Sequence, residues 1–315
     1  MDRHPVAQVL LERLDLGSRP GARTDPHRVA LVLEGGGMRG VVSAGMVAAL
    51  ERLELTDAFD LVVGSSAGAI NGAAFLARAG RRASDAYCGP LASRSFVNPL
   101  RVLRGKPVLD VNDVLDLVYG GDVSALAANA GSLHCIAVDI ETAEAVDLHG
   151  TADIWQAVLA SSRMPWAGGP PIEIDGHRYL DGGMASPVPV AEAIAAGATH
   201  VLALQTRPFG IPRKSASRVG DYLIERHLRS LNPALVALYR ERIAVYEQLV
   251  ADLERRSRDI TAGPPHVLGL RPPSGTPCVG QLERRPEVLT QGAEGGAQLV
   301  TQTLSRSSAT VPGPR

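Results

Sequence analysis

The segment Gly64-Ser65-Ser66-Ala67-Gly68 has the GxSxG form of a tight turn between a strand and a helix, which exposes a serine oxygen to a ligand. The pattern selects Ser66, the central position, over Ser65. Gly64 and Gly68 flank it where a side chain, at so tight a turn, would strike the sheet or the helix. A helix starting at Ser66 aims its first amides and its dipole at negative charge growing near that oxygen. Gly/Ser/Ala strings also arise by chance in a chain with 33 glycines, so the pentapeptide needs structural context before it counts as a nucleophile.

A second glycine loop, Gly35-Gly36-Gly37-Met38-Arg39-Gly40, also sits between a strand pattern and a helix pattern. As GxGxxG it suggests a dinucleotide site, which requires an acid at the end of the second strand to hold the ribose hydroxyls. That strand ends in Gly64-Ser65-Ser66, with Asp60 at its start, so the nucleotide reading fails where it is most informative. Consecutive glycines instead free backbone N–H groups to face a ligand, and two adjacent β-turn-α units set that nest beside Ser66 as an oxyanion hole. Arg39 either braces the loop by hydrogen bonds or adds charge for an anionic head group, and the bracing role is favoured. A base is still needed. None of the eight histidines lies in a Gly-bounded turn, whereas Asp181-Gly182-Gly183 follows a hairpin and can project its carboxylate from the sheet edge; on those residues alone a plain turn is an equal reading.

These pieces, in this order, resemble the bacterial patatin-like phospholipases. The stretch Ala160-Ser161-Ser162-Arg163-Met164-Pro165, followed by Pro170-Pro171-Ile172 and the hairpin, resembles the sequence preceding that family's aspartate. Trp166-Ala167-Gly168-Gly169 departs from the Phe-containing sequence common after that proline. The resemblance covers about residues 28–206 and implies a three-layer α/β/α fold and a Ser-Asp dyad that hydrolyses lipid acyl esters without histidine, metal or cofactor. Carried over, Ser66 is the nucleophile and Asp181 the base, and the Gly35 to Gly40 loop is the oxyanion hole. Two rivals stay open: an α/β-hydrolase triad using His200, His227 or His266, and a non-catalytic lipid- or nucleotide-binding module.

The elements that must position these residues follow from hydrophobic period. Val29 to Leu33 and Phe59 to Val63 read as strands, and Val41 to Leu53 and Ala69 to Ala79 as helices, so two consecutive β-turn-α units predict a mostly parallel sheet. Tyr87 to Ala130, punctuated by Pro90, Pro99 and Pro107, reads as an insertion. Leu133 to Asp139 is a strand, Thr151 to Ser161 a helix, and Ile172 to Asp181 a hairpin turning on Asp175-Gly176. Val188 to Ala196 is a helix and His200 to Leu204 a strand. The organisation expected is therefore an N-terminal helix and linker (1–27), a catalytic domain (28–206), a helical extension (207–304) and a flexible tail (305–315).

Residues 207–258 hold eleven basic and six acidic side chains, and Val236, Tyr239, Ile243, Tyr246, Val250 and Leu253 mark one apolar helix face. Packing on the core is the simpler account of that stripe; transient contact with a membrane surface would need a strongly basic opposite face. Gly263 to Pro277 reads as a crossover and Glu287 to Leu304 as a last helix.

With 32 basic and 33 acidic side chains there is no global attraction to nucleic acid. Only Lys106 and Lys214 among the basic residues are lysines, an arginine bias read here as codon composition. Cys88, Cys135 and Cys278 form no CxxC pair, which argues against a disulfide framework or a Cys-rich zinc site. Neither a signal-peptide core nor a spanning apolar run is evident, so the expected location is cytoplasmic, at most peripheral to a membrane. Oligomeric state is not legible.

Overall fold

The computed structural model describes residues 3–98, 100, 101, 108, 111, 114–119, 130–151, 153–213, 215 and 217–305. The tail expected at 305–315, beyond its first residue, and part of the insertion read between Tyr87 and Ala130, including Pro99 and Pro107, lie outside the described residues.

In chain order the elements that matter are α1 (Pro5–Asp15), β1 (Val29–Leu33), a 3-10 turn (Gly37–Gly40), α2 (Val41–Arg52), β2 (Leu61–Ser65), α3 (Ala67–Leu76) and α4 (Gly80–Cys88). After the insertion come β3 (Leu133–Asp139), β4 (Ala145–Asp147), α5 (Ile154–Ser161), β5 (Ile172–Ile174), β6 (His177–Asp181), α6 (Val190–Ala195) and β7 (His200–Leu204). The chain closes with α7 (Arg218–Leu231), α8 (Ala234–Arg258), β8 (His266–Leu270) and α9 (Pro286–Leu304).

The strands form one eight-stranded sheet in the order β5-β6-β3-β2-β1-β7-β8, with β4 paired to β3. The β3-β2-β1-β7-β8 stretch is parallel, and β6 and β4 join β3 antiparallel. Each residue of β1, β2, β3 and β7 is buried, because helices cover both faces of the sheet; this is why these strands read as apolar runs without alternation. Leu31, Leu33, Val62 and Leu133 face a core built with α1 to α5 and α9, while Ala30, Val32, Val63 and Val201 face α6 and the C-terminal half of α8. The result is the three-layer α/β/α architecture that the family resemblance implied.

Several elements depart from the sequence reading. Gly263 to Pro277, read as a crossover, contains β8, which pairs parallel with β7 from His200 opposite His266 to Leu204 opposite Leu270. Pro264-Pro265 and Pro272-Pro273 on either side mask the strand in the sequence. The segment 207–304 is accordingly not a purely helical extension but completes the sheet and both helical layers. Its last helix, α9, packs so closely on α2 that a Cβ on Gly45 would lie 2.0 Å from the Ala293 carbonyl oxygen. α4 was not read at all, although its buried Gly80, Ala83, Ala86 and Tyr87 keep helical spacing. At the other end, Arg13 of α1 is buried and pairs with Asp25 and Asp60, each at 2.8 Å, which ties the N-terminal helix and linker to the start of β2.

The stripe on α8 faces inward. Val236 and Tyr239 pack with Leu228, Leu235 and Leu180, whereas Tyr246, Val250 and Leu253 pack on β1, β2 and β8; Ile243 is half-buried. The face that a membrane would have to meet is thus covered by the molecule's own sheet. Arg255 and Arg256 both pair with Asp252, and Arg258 lies 3.6 Å from Glu254. No helix among the described residues is long and apolar enough to cross a membrane.

Candidate active site

Parallel strands end their C-terminal edges together, and both glycine loops leave from that edge. Ser66 caps α3 directly after β2 with φ 58° and ψ −129°, a left-handed backbone held by its surroundings. Gly64 and Gly68 are required as the spacing implied: a Cβ on Gly64 would lie 2.5 Å from the Gly68 carbonyl, and one on Gly68 2.2 Å from the Leu33 oxygen. Ser65 is fully buried and points its hydroxyl to no partner, so Ser66 is the serine that the turn presents to the crevice.

The hairpin turns on Asp175 (φ 51°) and Gly176 (φ 82°), the backbone that a two-residue primed turn needs. It delivers Asp181 opposite Ala137 of β3, where its amide donates to the Arg163 carbonyl at 2.9 Å. The Ser66 hydroxyl donates to Asp181 Oδ2 at 2.6 Å, and the Gly183 amide donates to Oδ1 at 2.7 Å. Gly182 is packed against β3, since a Cβ there would lie 2.0 Å from the Ile136 oxygen. Burial pushes the Asp181 carboxyl up to about 6, against the downward pull of the Ser66 hydroxyl, the Gly183 amide and the Arg213 charge.

The Gly35–Gly40 loop lies against this pair. A Cβ on Gly35 would meet the Ser65 oxygen at 2.7 Å and the Ser66 Cβ at 2.9 Å. Not every amide of the loop is available: Gly35 N donates to the Pro187 oxygen at 3.2 Å, Met38 N to the Gln281 oxygen at 3.0 Å and Arg39 N to the Gly36 oxygen at 3.1 Å. Among the described residues no acceptor takes the amides of Gly36 and Gly37. Arg39 is buried under the loop, its Nε donating to Thr206 Oγ1 at 3.2 Å, which fits the bracing role. Gly40 is fixed through its carbonyl, which accepts from Asn71 Nδ2 at 2.8 Å and Ser43 Oγ at 3.0 Å.

Sequence reasoning assigned no role to Ser161 and Ser162, yet they hold the elbow. The Ser66 amide donates to both the carbonyl and the hydroxyl oxygen of Ser161 at 3.1 Å, and Ser162 Oγ donates to the Ser66 carbonyl at 3.2 Å. This also removes the Ser66 amide from the set facing a ligand. The signal was the double serine at the end of α5, a helix C-terminus where two hydroxyls are otherwise unneeded. Gln281, which positions Met38, lies in a segment with no pattern to read.

Ser66 and Asp181 share a crevice of about 400 Å³ lined by Gly35 to Gly37, Trp166, Arg213 and Tyr246 among others. On the other side of Ser66 a narrow apolar slot of about 30 Å³ runs between Met38, Ile70, Tyr87, Phe96, Val114 and Met164. The described lining of neither includes a histidine. His200 and His266 begin β7 and β8, at the sheet edge opposite Ser66, and His227 lies on α7 outside both linings. Among the described residues one group could hold a metal ion, Asp139, Glu141 and His177, and it is not part of either lining. Three of its oxygens are already engaged: Asp139 Oδ1 accepts the amides of Glu141 and Thr142, Asp139 Oδ2 lies 3.2 Å from His177 Nδ1, and Glu141 Oε1 accepts from Arg178 Nε at 2.9 Å.

Ser66 at a strained strand-to-helix elbow thus meets a buried aspartate beside a glycine nest at the C-terminal edge of the sheet of an α/β protein. The chain belongs to the patatin-like phospholipase family, whose model matches residues 31–132 and 138–194. It is similar to the uncharacterized protein YjjU of Escherichia coli (strain K12), 32% identical over 190 residues that cover 58% of this chain and 53% of YjjU. This chain thus spans about half the length of that relative. The crystal structure of VipD from Legionella pneumophila aligns over 88% of this chain and 67% of VipD, with a TM-score of 0.42 and 16% identity.

Proposed function

We propose that this protein is a lipid acyl hydrolase in which Ser66 is the nucleophile, Asp181 the general base, and the amides of Gly36 and Gly37 the oxyanion donors. The observation that carries the reading is the 2.6 Å hydrogen bond from the Ser66 hydroxyl to a buried carboxylate, with no histidine in the described lining. An aspartate near its usual value is a weak base; one pushed up to about 6 accepts a proton more readily and is still mostly ionised at pH 7.

In the first half-reaction Ser66 Oγ attacks the ester carbonyl carbon as its proton passes to Asp181. The carbonyl oxygen gains the negative charge and meets the two amides, and the intermediate collapses as the leaving alcohol takes the proton from Asp181. In the second, Asp181 takes a proton from water, hydroxide displaces the acyl group, and Ser66 recovers its hydrogen. The apolar slot beside Met38 and Phe96 suits the start of an acyl chain, and the wider crevice suits the alcohol part. Membership of the family supports lipid esters as the substrate class.

A fluorophosphonate probe tests this directly. Wild type should label at Ser66 and hydrolyse a short-chain lipid ester, while Ser66→Ala should do neither yet keep the wild-type melting transition. Labelling of Ser66→Ala at the wild-type rate would sink the assignment.

A further inference from the structure

Four guanidiniums line the crevice beyond Ser66: Arg39, Arg207, Arg213 and Arg242, against two carboxylates in the described lining, Glu34 and Asp181. Both carboxylates also accept hydrogen bonds from uncharged groups. Asp181 holds Ser66, and Glu34 accepts from the Tyr246 hydroxyl at 3.0 Å and from the Thr206 amide. Arg242 pairs with Asp221 at 3.2 Å. The other three donate only to uncharged oxygens among the described residues: Arg39 to Thr206 Oγ1, Arg207 to the Pro212 carbonyl, and Arg213 to the carbonyls of Arg242 and Gly183. Arg207 is 8% exposed, and its buried Nε has no acceptor among the described residues.

Glu34 offsets part of the cost of burying Arg39 and Arg213, and Asp181 faces Arg213, but four guanidiniums against two carboxylates in the described lining leave an excess of positive charge that a bound anion would offset. A phosphate offers several acceptor oxygens to the planar fork of a guanidinium, the geometry in which arginine outperforms lysine. The location suits a head group, because Arg213 Nη2 donates at 3.2 Å to the carbonyl of Gly183, whose amide holds Asp181; Gly183 thus links the cation to the candidate base. A cationic head group would be refused. The aromatic faces that could cup a quaternary ammonium are already occupied, with the Arg242 guanidinium 3.5 Å from the Tyr239 ring centre and those of Arg207 and Arg213 at 5.8 and 5.5 Å from that of Tyr246. Arg207, Arg213 and Arg242 all lie outside the residues matched by the family model, so this cluster belongs to the chain's own C-terminal third.

We propose that Arg207 and Arg213 bind the phosphate of an anionic head group, so that the enzyme selects lipid acyl esters of net negative charge over zwitterionic ones. The proposal rests on the hydrolase reading above and names the substrate class of that same site. The arginine bias dismissed in the sequence as codon composition then has, at these positions, a function.

The test compares dihexanoyl phosphatidic acid with dihexanoyl phosphatidylcholine, both as monomers in solution so that surface charge plays no part. Wild type should prefer the acid in kcat/KM by about tenfold or more, the scale of a charge-assisted hydrogen bond or two. Arg207→Gln should collapse that ratio, chiefly through KM, and Arg207→Lys should keep part of it; Arg213→Gln serves if Arg207→Gln does not fold. A wild-type ratio near one, or a ratio unchanged in the folded glutamine variant, would overturn the proposal. Calorimetric titration of Ser66→Ala with the same phosphatidic acid and with inorganic phosphate reads the anion site without chemistry. Arg207-dependent binding of the lipid by a protein that hydrolyses no ester would uphold the anion site and defeat the hydrolase reading, whereas hydrolysis with an unaltered ratio would do the reverse. Inorganic phosphate binding as tightly as the lipid would assign the cluster to free phosphate and overturn the head-group proposal.

Discussion

Asp181 carries a stability cost that its replacement should reveal. Its carboxyl is pushed from 3.8 to about 6 by burial, a rise of about two units, so at roughly 1.4 kcal/mol per unit the folded state bears up to about 3 kcal/mol for keeping it ionised. A carboxyl whose folded value lies above its unfolded value favours folding fully below pH 3.8, and that contribution is lost as pH rises through about 6. Asp181→Asn removes the charge at nearly constant volume, keeps an oxygen for the Gly183 amide, and turns its own amide toward Ser66. Turnover should fall by about 10² to 10⁴, the usual loss for a general base. Stability should move the other way: at pH 8 the variant should be more stable by up to ~3 kcal/mol, seen as a melting point raised by roughly 2 °C per kcal/mol for a chain of this size. The advantage should shrink as pH falls from about 6 and vanish below 3.8. Urea titrations of both proteins across that range, beside kcat/KM, make the measurement. A variant less stable than wild type at pH 8, or a difference that does not change with pH, would refute the claim that burial of an ionised Asp181 is what sets its basicity.

Three further outcomes are expected. His200→Ala, His227→Ala and His266→Ala should each keep kcat/KM within about a tenth of wild type, the lower edge of what a lost general base costs being about 10²; a histidine variant as inactive as Ser66→Ala would restore the triad. Dialysis against EDTA should leave turnover unchanged, because Asp139, Glu141 and His177 lie outside the lining of both cavities beside Ser66, and a loss reversed by added calcium would place a metal in the reaction. Sedimentation with anionic vesicles should not change on replacing Arg255, Arg256 and Arg258 with Gln, because all three already face Asp252 or Glu254; a clear drop would return α8 to the membrane surface.

The sequence by itself determined the parts whose physics is local. A tight elbow demands glycine two positions either side of Ser66, a primed turn demands Asp175-Gly176, and buried parallel strands demand unbroken apolar runs; each leaves a mark within a few residues. For the same reason Ser66 and the glycine loop stood out before their distances were known, whereas the residues around Asp181 read equally as a plain turn and its role came from the resemblance to a family. Tertiary structure decided what depends on side chains that meet from far apart. The loop's six residues offered six amides in sequence, but Pro187 and Gln281 reach in to occupy two of them, and no local pattern announces a carbonyl arriving from more than a hundred residues away. β8 needed β7 beside it to be a strand, as its flanking prolines hide it. The stripe on α8 was visible, but whether it met lipid or its own sheet depended on which surface lay within reach. The arginines at 207, 213 and 242 were indistinguishable among the 32 basic residues until burial removed their water and, among the described residues, left the Arg207 Nε without an acceptor. Charge becomes specific only where solvent is excluded, and solvent exclusion is a property of the folded whole.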